Sequence, residues 1–162
     1  MTAESRTEWR VDVRPHAGAD NLPTGALDRL VALAAQLFEM PIAAVAVVDE
    51  GGTRLAARHG LDGDAVPPGG GRGLCAAAIR QDALAVIEDA ARDADAGTDP
   101  LVTGPAGVRF CAAAPIRRTD GHVLGALCVM DRTARGCDER EHALLSSLAG
   151  IAADDMALHV AS

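Results

Sequence analysis

GVRFCAAAPIRRTDGHVLGALCVMDR, residues 107–132, contains two apolar runs on either side of Asp120-Gly121. An Asp-Gly pair supplies the positive φ that a two-residue hairpin turn requires, so the segment reads as a β-hairpin. With Asp120 and Gly121 as the central pair, the numbers of facing residues sum to a constant. Phe110, Ala112, Ala114 and Ile116 then share one face with Val129, Leu127, Gly125 and Val123. Cys111, Ala113 and Pro115 share the other with Met130, Cys128, Ala126 and Leu124. Both faces are apolar, which puts the hairpin at the centre of a sheet covered on both sides. A slip of one residue in the turn would undo the face assignment.

Downstream of the hairpin, Asp138 and Glu141 form a capping-box pair. They open a long helix through Leu144, Leu145, Leu148, Ile151, Ala152, Met156 and Leu158. Upstream, residues 88–106 carry Asp89, Asp93, Asp95 and Asp99 and read as an acidic loop. Before that loop, Ala83 to Ile87 reads as a strand and Leu74 to Gln81 as a helix of about two turns. Residues 60–73, GLDGDAVPPGGGRG, combine two prolines with clustered glycines and read as a connecting flap. Ile42 to Asp49 is a buried strand that turns at Gly51-Gly52 into a second, Thr53 to His59. Leu27, Leu30, Val31, Ala34, Leu37 and Phe38 recur at helical spacing from a Thr24 cap, and Met40-Pro41 ends that helix. Residues 1–21 are polar apart from Trp9 and scattered valines, and read as an N-terminal arm. The order of elements predicts an α+β domain over 22–160 with a mainly antiparallel sheet.

A chain of 162 residues is one domain by length and buries about two-thirds of its unfolded surface, without need of a disulfide or metal staple. Aromatic content is 2%, with Trp9, Phe38 and Phe110 the only rings, so Ala, Leu and Val fill the core and a pocket has few ring faces to offer. The formal charge is −8, and every basic residue is Arg. That balance repels phosphate backbones and anionic lipid, which excludes nucleic-acid and membrane binding unless a local basic patch exists. Only Arg117-Arg118 comes close. No apolar run approaches a membrane span. Without CxxC pairs or an N-terminal signal segment, Cys75, Cys111, Cys128 and Cys137 read as reduced thiols of a cytoplasmic protein.

Gly69 to Gly73 lacks the Gly-Lys-Ser/Thr ending of a phosphate loop and fits no dinucleotide fingerprint. Asp93-Ala94-Asp95 begins like a calcium loop, but Gly97 and Gly104 stand where ligands belong. No serine sits in a hydrolase setting. Cys111 and Cys128 are diagonal neighbours on one hairpin face, roughly 7–8 Å apart in backbone, which is long for a disulfide. Packing is the bland reading, since free cysteine behaves as a small hydrophobe. Cys75 opens a helix, where a thiolate is stabilised, and has the better case for reactivity. Cys137 reads as an exposed helix-start residue. His122, His142 and His159 read as solvent-facing, while His59 ends a strand beside the flap and is the one histidine placed near a pocket. Arg109 enters an apolar strand, so it is either at the sheet edge or paired with an acid or an anionic ligand.

Several strings resemble the GAF domain, in particular a bacterial subgroup: Val48-Asp49-Glu50, Cys75-Ala76-Ala77-Ala78-Ile79, Thr98-Asp99-Pro100-Leu101-Val102-Thr103-Gly104, Arg109-Phe110-Cys111-Ala112-Ala113-Ala114-Pro115 and Gly125-Ala126-Leu127-Cys128-Val129-Met130-Asp131. The resemblance covers about Leu22 to Leu158. It implies a five- or six-stranded antiparallel sheet with the terminal helices on one face and a loop-enclosed small-molecule pocket on the other. The implied lining is His59, Cys75, Asp99, Arg109, Cys111, Cys128 and Met130. It also implies a stand-alone sensory or regulatory domain, with a homodimer through the terminal helices and a separate signalling partner for output.

The departures from the subgroup are specific. Its aromatic after the second-strand turn is replaced near Arg54-Leu55, its short-helix histidine is Ala77, and its RFYAGAP tyrosine is Cys111. A pocket stripped of rings is poorly suited to stacking a purine. Bilin-binding members carry a cysteine followed by histidine, whereas Ala76 follows Cys75, and no histidine stands as a haem ligand. The ligand and any cofactor therefore stay unknown. Two alternatives accompany the sensor reading: a thiol-dependent enzyme of the free methionine-(R)-sulfoxide reductase type, using Cys75, Cys111 and Cys128, and a ligand-free dimerisation scaffold.

Overall fold

The computed structural model describes residues 25–49, 52–61 and 72–161. The expected arm over 1–21 with Trp9 and His16, the Thr24 cap, the turn at 50–51 and most of the 60–73 flap lie outside the described residues. Helix α1 spans Gly25–Phe38 and buries Leu27, Leu30, Val31, Ala34, Ala35 and Phe38, one stripe at helical spacing. It stops because Glu39 adopts φ +53, while Met40 N–H returns to the Ala35 carbonyl and Glu39 N–H to that of Gln36, the six-to-one closure of a helix end. Pro41 follows. Leu37, expected in the stripe, is 49% exposed.

Strands β1 (Ile42–Asp49) and β2 (Gly52–His59) come next, followed by helix α2 (Arg72–Gln81) and the three-residue strand β3 (Ala85–Ile87). The acidic segment is more regular than expected. It forms single 3₁₀ turns at Ala90–Arg92 and Ala96–Thr98 and a one-turn helix α3 at Pro100–Thr103. Its aspartates do the capping. Asp93 Oδ1 accepts the amides of Asp95 and Ala96, and Asp99 Oδ1 accepts that of Leu101. Strands β4 (Phe110–Arg117) and β5 (Val123–Asp131) make the hairpin, and helix α4 (Glu139–Ala161) closes the chain. The capping box stands as expected, with Glu141 N–H donating to Asp138 Oδ1 at 2.8 Å and Asp138 N–H to Glu141 Oε1 at 3.1 Å.

Among the described residues, five strands form one antiparallel sheet in the order β2-β1-β5-β4-β3, so the hairpin supplies the central strand. Both of its faces are buried, as its sequence requires. Helices α1 and α4 pack together on one face, over Phe110, Ala112, Ala114, Leu127 and Val129. Each large side chain so buried contributes about 1.5–3 kcal/mol relative to exposure. Helix α2, the 3₁₀ turns and α3 cover the other face.

The hairpin pairing runs from Phe110–Asp131 to Ile116–Gly125 with the constant expected from its sequence, although the turn differs. Arg118 N–H donates to the His122 carbonyl and Gly121 N–H to that of Arg118, and Gly121 alone in the loop has positive φ, +93°. This is a three-residue loop, a type I turn closed by glycine, not a two-residue turn. The extra loop residue is compensated by a bulge. Arg117 pairs with Val123 and Ile116 with Gly125, leaving Leu124 unpaired. Val123 and Leu124 consequently exchange faces relative to the expectation, Val123 joining the cysteine side and Leu124 the side of α1 and α4.

Two further placements correct the sequence reading. Ile151 lies on the outer side of α4, 54% exposed. Cys137 is half-buried and packs against the α1–α4 core, not exposed.

Candidate functional site

Strand alternation places Cys111, Ala113, Ala126, Cys128 and Met130 on the face away from the terminal helices. Cys111 stands opposite Met130 and Ala113 opposite Cys128, so the two thiols are diagonal, as expected. Helix α2 lies over them and buries Leu74, Cys75, Ala78 and Ile79, a spacing that turns one side of a short helix to the sheet. Cys75 thereby arrives at Cys128, with 2.8 Å between the sulfurs. Cys111 lies alongside, its Sγ 3.8 Å from the Leu74 carbonyl.

Asp99 fixes this arrangement. It is 3% exposed, and its Oδ2 accepts the Leu74 amide at 3.0 Å, one of the orphan donors in the first turn of α2. Its Oδ1 caps α3 through Leu101 at 2.9 Å. Arg109 resolves its two alternatives through the backbone. Its guanidinium donates to the carbonyls of Val102 and Val108, tying the end of α3 to the start of β4.

The Cys128 thiol is raised well above its ordinary range, by its contacts with Cys111 and then Cys75, by burial, and by the nearby charge sites. Contact with Cys128 pulls Cys111 down, but burial and the proximity of Cys75 and Asp99 outweigh it, so Cys111 is raised as well. Both thiols stay protonated at neutral pH, which makes them poor nucleophiles while the layer is closed.

Of the residues expected to line a pocket, the structure gathers Cys75, Cys111, Cys128 and Met130 into one packed layer, with Asp99 and Arg109 at its border. It does not bring His59 there. His59 is exposed and pairs with Ala43, which belongs to the α1–α4 core. The cause is a bulge. Ala46 pairs with Leu55 but Val45 with Ala57, so Ala56 is unpaired and the alternation of β2 inverts beyond it.

Open space lies beside this layer. A groove of about 380 Å³ runs between α2 and β3, lined by Gly73, Ala77, Arg80, Ala85, Asp93 and Asp95 among others. Arg80 and Asp95 approach to 4.0 Å at its mouth. No ring lines it. The acidic composition of 88–106 hinted at Asp93 and Asp95, whereas Arg80 had no distinguishing sequence signal. Among the described residues, no set of three His, Cys, Asp or Glu side chains is arranged to hold a metal ion, and no helix is long and apolar enough to cross a membrane.

The family model described as GAF domain matches residues 23–154. A cyclic di-GMP phosphodiesterase of Pseudomonas aeruginosa is 34% identical over 133 residues, covering 82% of this chain. The chain spans only 22% of that relative's length. Among solved structures, the GAF domain region of a Geobacter sulfurreducens protein is 26% identical with a TM-score of 0.65, covering 82% of this chain and 91% of that one. A type II free methionine-R-sulfoxide reductase from Thermoplasma acidophilum shares the fold at 21% identity and a TM-score of 0.62, covering 79% of this chain and 89% of its own.

Proposed function

The chain belongs to the GAF domain family, and from that premise we propose that it is a cytoplasmic sensory or regulatory domain over 22–160 that binds a small molecule beside α2 and passes its state to a partner. The observation that carries this reading is the groove between α2 and β3, closed on one side by the aspartate-capped turns. Among the described residues, a ligand there meets the Arg80 guanidinium, the Asp93 and Asp95 carboxylates, the Gln81 amide and alkyl walls. The lining suits a small polar molecule with donors and acceptors, not a stacked purine. Ligand contact with Arg80 on α2 and with the 88–106 turns would bias the position of α2, and α2 touches both β4 and β5.

Output through a dimer is supported by the outer side of the helical layer, where Leu33, Leu37 and Ile151 are 44%, 49% and 54% exposed. Such residues on α1 and α4 suit a homodimer through these helices. Native mass spectrometry of the protein as purified from cells tests the reading. A bound small molecule, lost in Arg80→Ala, is the expected result. A protein that is an empty dimer, with no ligand-dependent rise in Tm across a metabolite panel, would replace it with the scaffold reading.

One observation favours a second reading, thiol-dependent reduction of free methionine-(R)-sulfoxide: Cys75, Cys111 and Cys128 converge. Turnover with a thiol reductant that disappears in Cys111→Ser would establish it in place of the sensor.

A further inference from the structure

We propose that Cys75 and Cys128 are a redox modification site, forming a reversible disulfide that fastens α2 to the central strand β5. The proposal goes beyond ligand binding and holds whether or not the groove is occupied. Its basis is geometric. The two sulfurs stand 2.8 Å apart, against about 2.05 Å for a covalent S–S bond, although 53 residues separate them in sequence and they sit on different layers. Both side chains are fully buried, with no measurable exposure, so each already faces the other across a dry interface. Cys111 is the poorer partner for Cys128. The two sit diagonally on adjacent strands, at roughly 7–8 Å in backbone, beyond the span that disulfides prefer.

The oxidant is a peroxide. When the N-terminal turn of α2 lifts from Asp99, the Cys75 thiol loses its proton and attacks the peroxide O–O bond. An S–O bond forms, Cys75 becomes the sulfenic acid, and the peroxide leaves as an alcohol, or as water from hydrogen peroxide. The Cys128 sulfur then attacks the Cys75 sulfur. The S–S bond forms, the S–O bond breaks, and the hydroxyl leaves with the Cys128 proton as a second water. A dithiol reductant returns two electrons and two protons and restores both thiols. Burial of both thiols and the raised pKa of Cys128 keep the closed state unreactive, so the reaction requires α2 to open.

The test treats the full chain carrying Cys137→Ser, which removes the half-buried thiol, with hydrogen peroxide under native conditions, then alkylates, digests and maps it. The expected product is a peptide containing Cys75 linked to one containing Cys128 in the same chain, with Cys111 alkylated. Tm should rise by about 5 °C or more and return with dithiothreitol. Cys75→Ala should give no link. The mapping of the parent protein decides the matter even if that variant folds poorly. Three alkylated thiols after treatment, a Cys111–Cys128 link, or a link between chains would overturn the proposal.

Discussion

Asp99 holds Leu74 across 25 residues of sequence, its Oδ2 accepting the Leu74 amide at 3.0 Å while its Oδ1 accepts the Leu101 amide at 2.9 Å. One buried carboxylate thus closes the first turns of two helices and sets how α2 lies on the sheet. In Asp99→Ala both amides lose that acceptor in a region where water enters poorly. The expected loss is about 2–4 kcal/mol in urea denaturation monitored by circular dichroism. Asp99→Asn keeps one acceptor oxygen and should lose less.

Two glycines of one hairpin resist substitution for different reasons. A Cβ on Gly121 would meet nothing within 4 Å, but its φ of +93° strains any L side chain, so Gly121→Ala should cost about 1 kcal/mol. A Cβ on Gly125 would stand 1.9 Å from the Ala46 carbonyl oxygen, since β1 passes against it. Gly125→Ala should cost about 3 kcal/mol or more, or prevent folding. Thermal denaturation of the pair separates backbone strain from lack of space.

Cys137 titrates late. Burial, followed by Glu141 and Asp138, pushes its thiol up to about 11, with Arg135 opposing. A thiol whose pKa is raised on folding favours the folded state below its unfolded value of 9.0, and that contribution is lost as pH rises through about 11. Alkylation of Cys137 by iodoacetamide should follow an apparent pKa near 11, and Glu141→Gln should lower it. A midpoint near 9 would contradict this environment.

Ile151→Arg tests the outer side of the helical layer. The side chain is already 54% exposed, so stability should change by no more than about 0.5 kcal/mol. If the terminal helices form the homodimer, sedimentation velocity should show the variant shifting to monomer at concentrations where the parent is a dimer.

Local sequence rules carried most of the architecture. The Asp138–Glu141 box, the α1 stripe and the alternation of β4 and β5 each rest on contacts a few residues apart or on a simple period, and these contacts are visible in a string of letters. The hairpin register was legible for a less direct reason, because the extra loop residue and the Leu124 bulge cancel. The exchange of Val123 and Leu124 was not legible, since a bulge has no composition of its own. The diagonal pair Cys111–Cys128 follows from strand period, but the arrival of Cys75 at Cys128 depends on how α2 docks. That docking depends on Asp99, whose reach to Leu74 no spacing rule anticipates. Arg80 and Asp95 meet for the same reason, through tertiary placement.

The unpaired Ala56 and Leu124 also govern how this chain is to be aligned with its relatives. A sequence lacking Leu124 would keep each partnership from Phe110–Asp131 to Ile116–Gly125 and simply lose the kink. One lacking Ala56 would still set His59 against Ala43. An insertion or deletion at these two positions is therefore silent in the ladder, whereas a fixed residue offset carried across either one assigns side chains to the wrong side of the sheet. Equivalent positions are found by counting outward from paired residues, never from the turn.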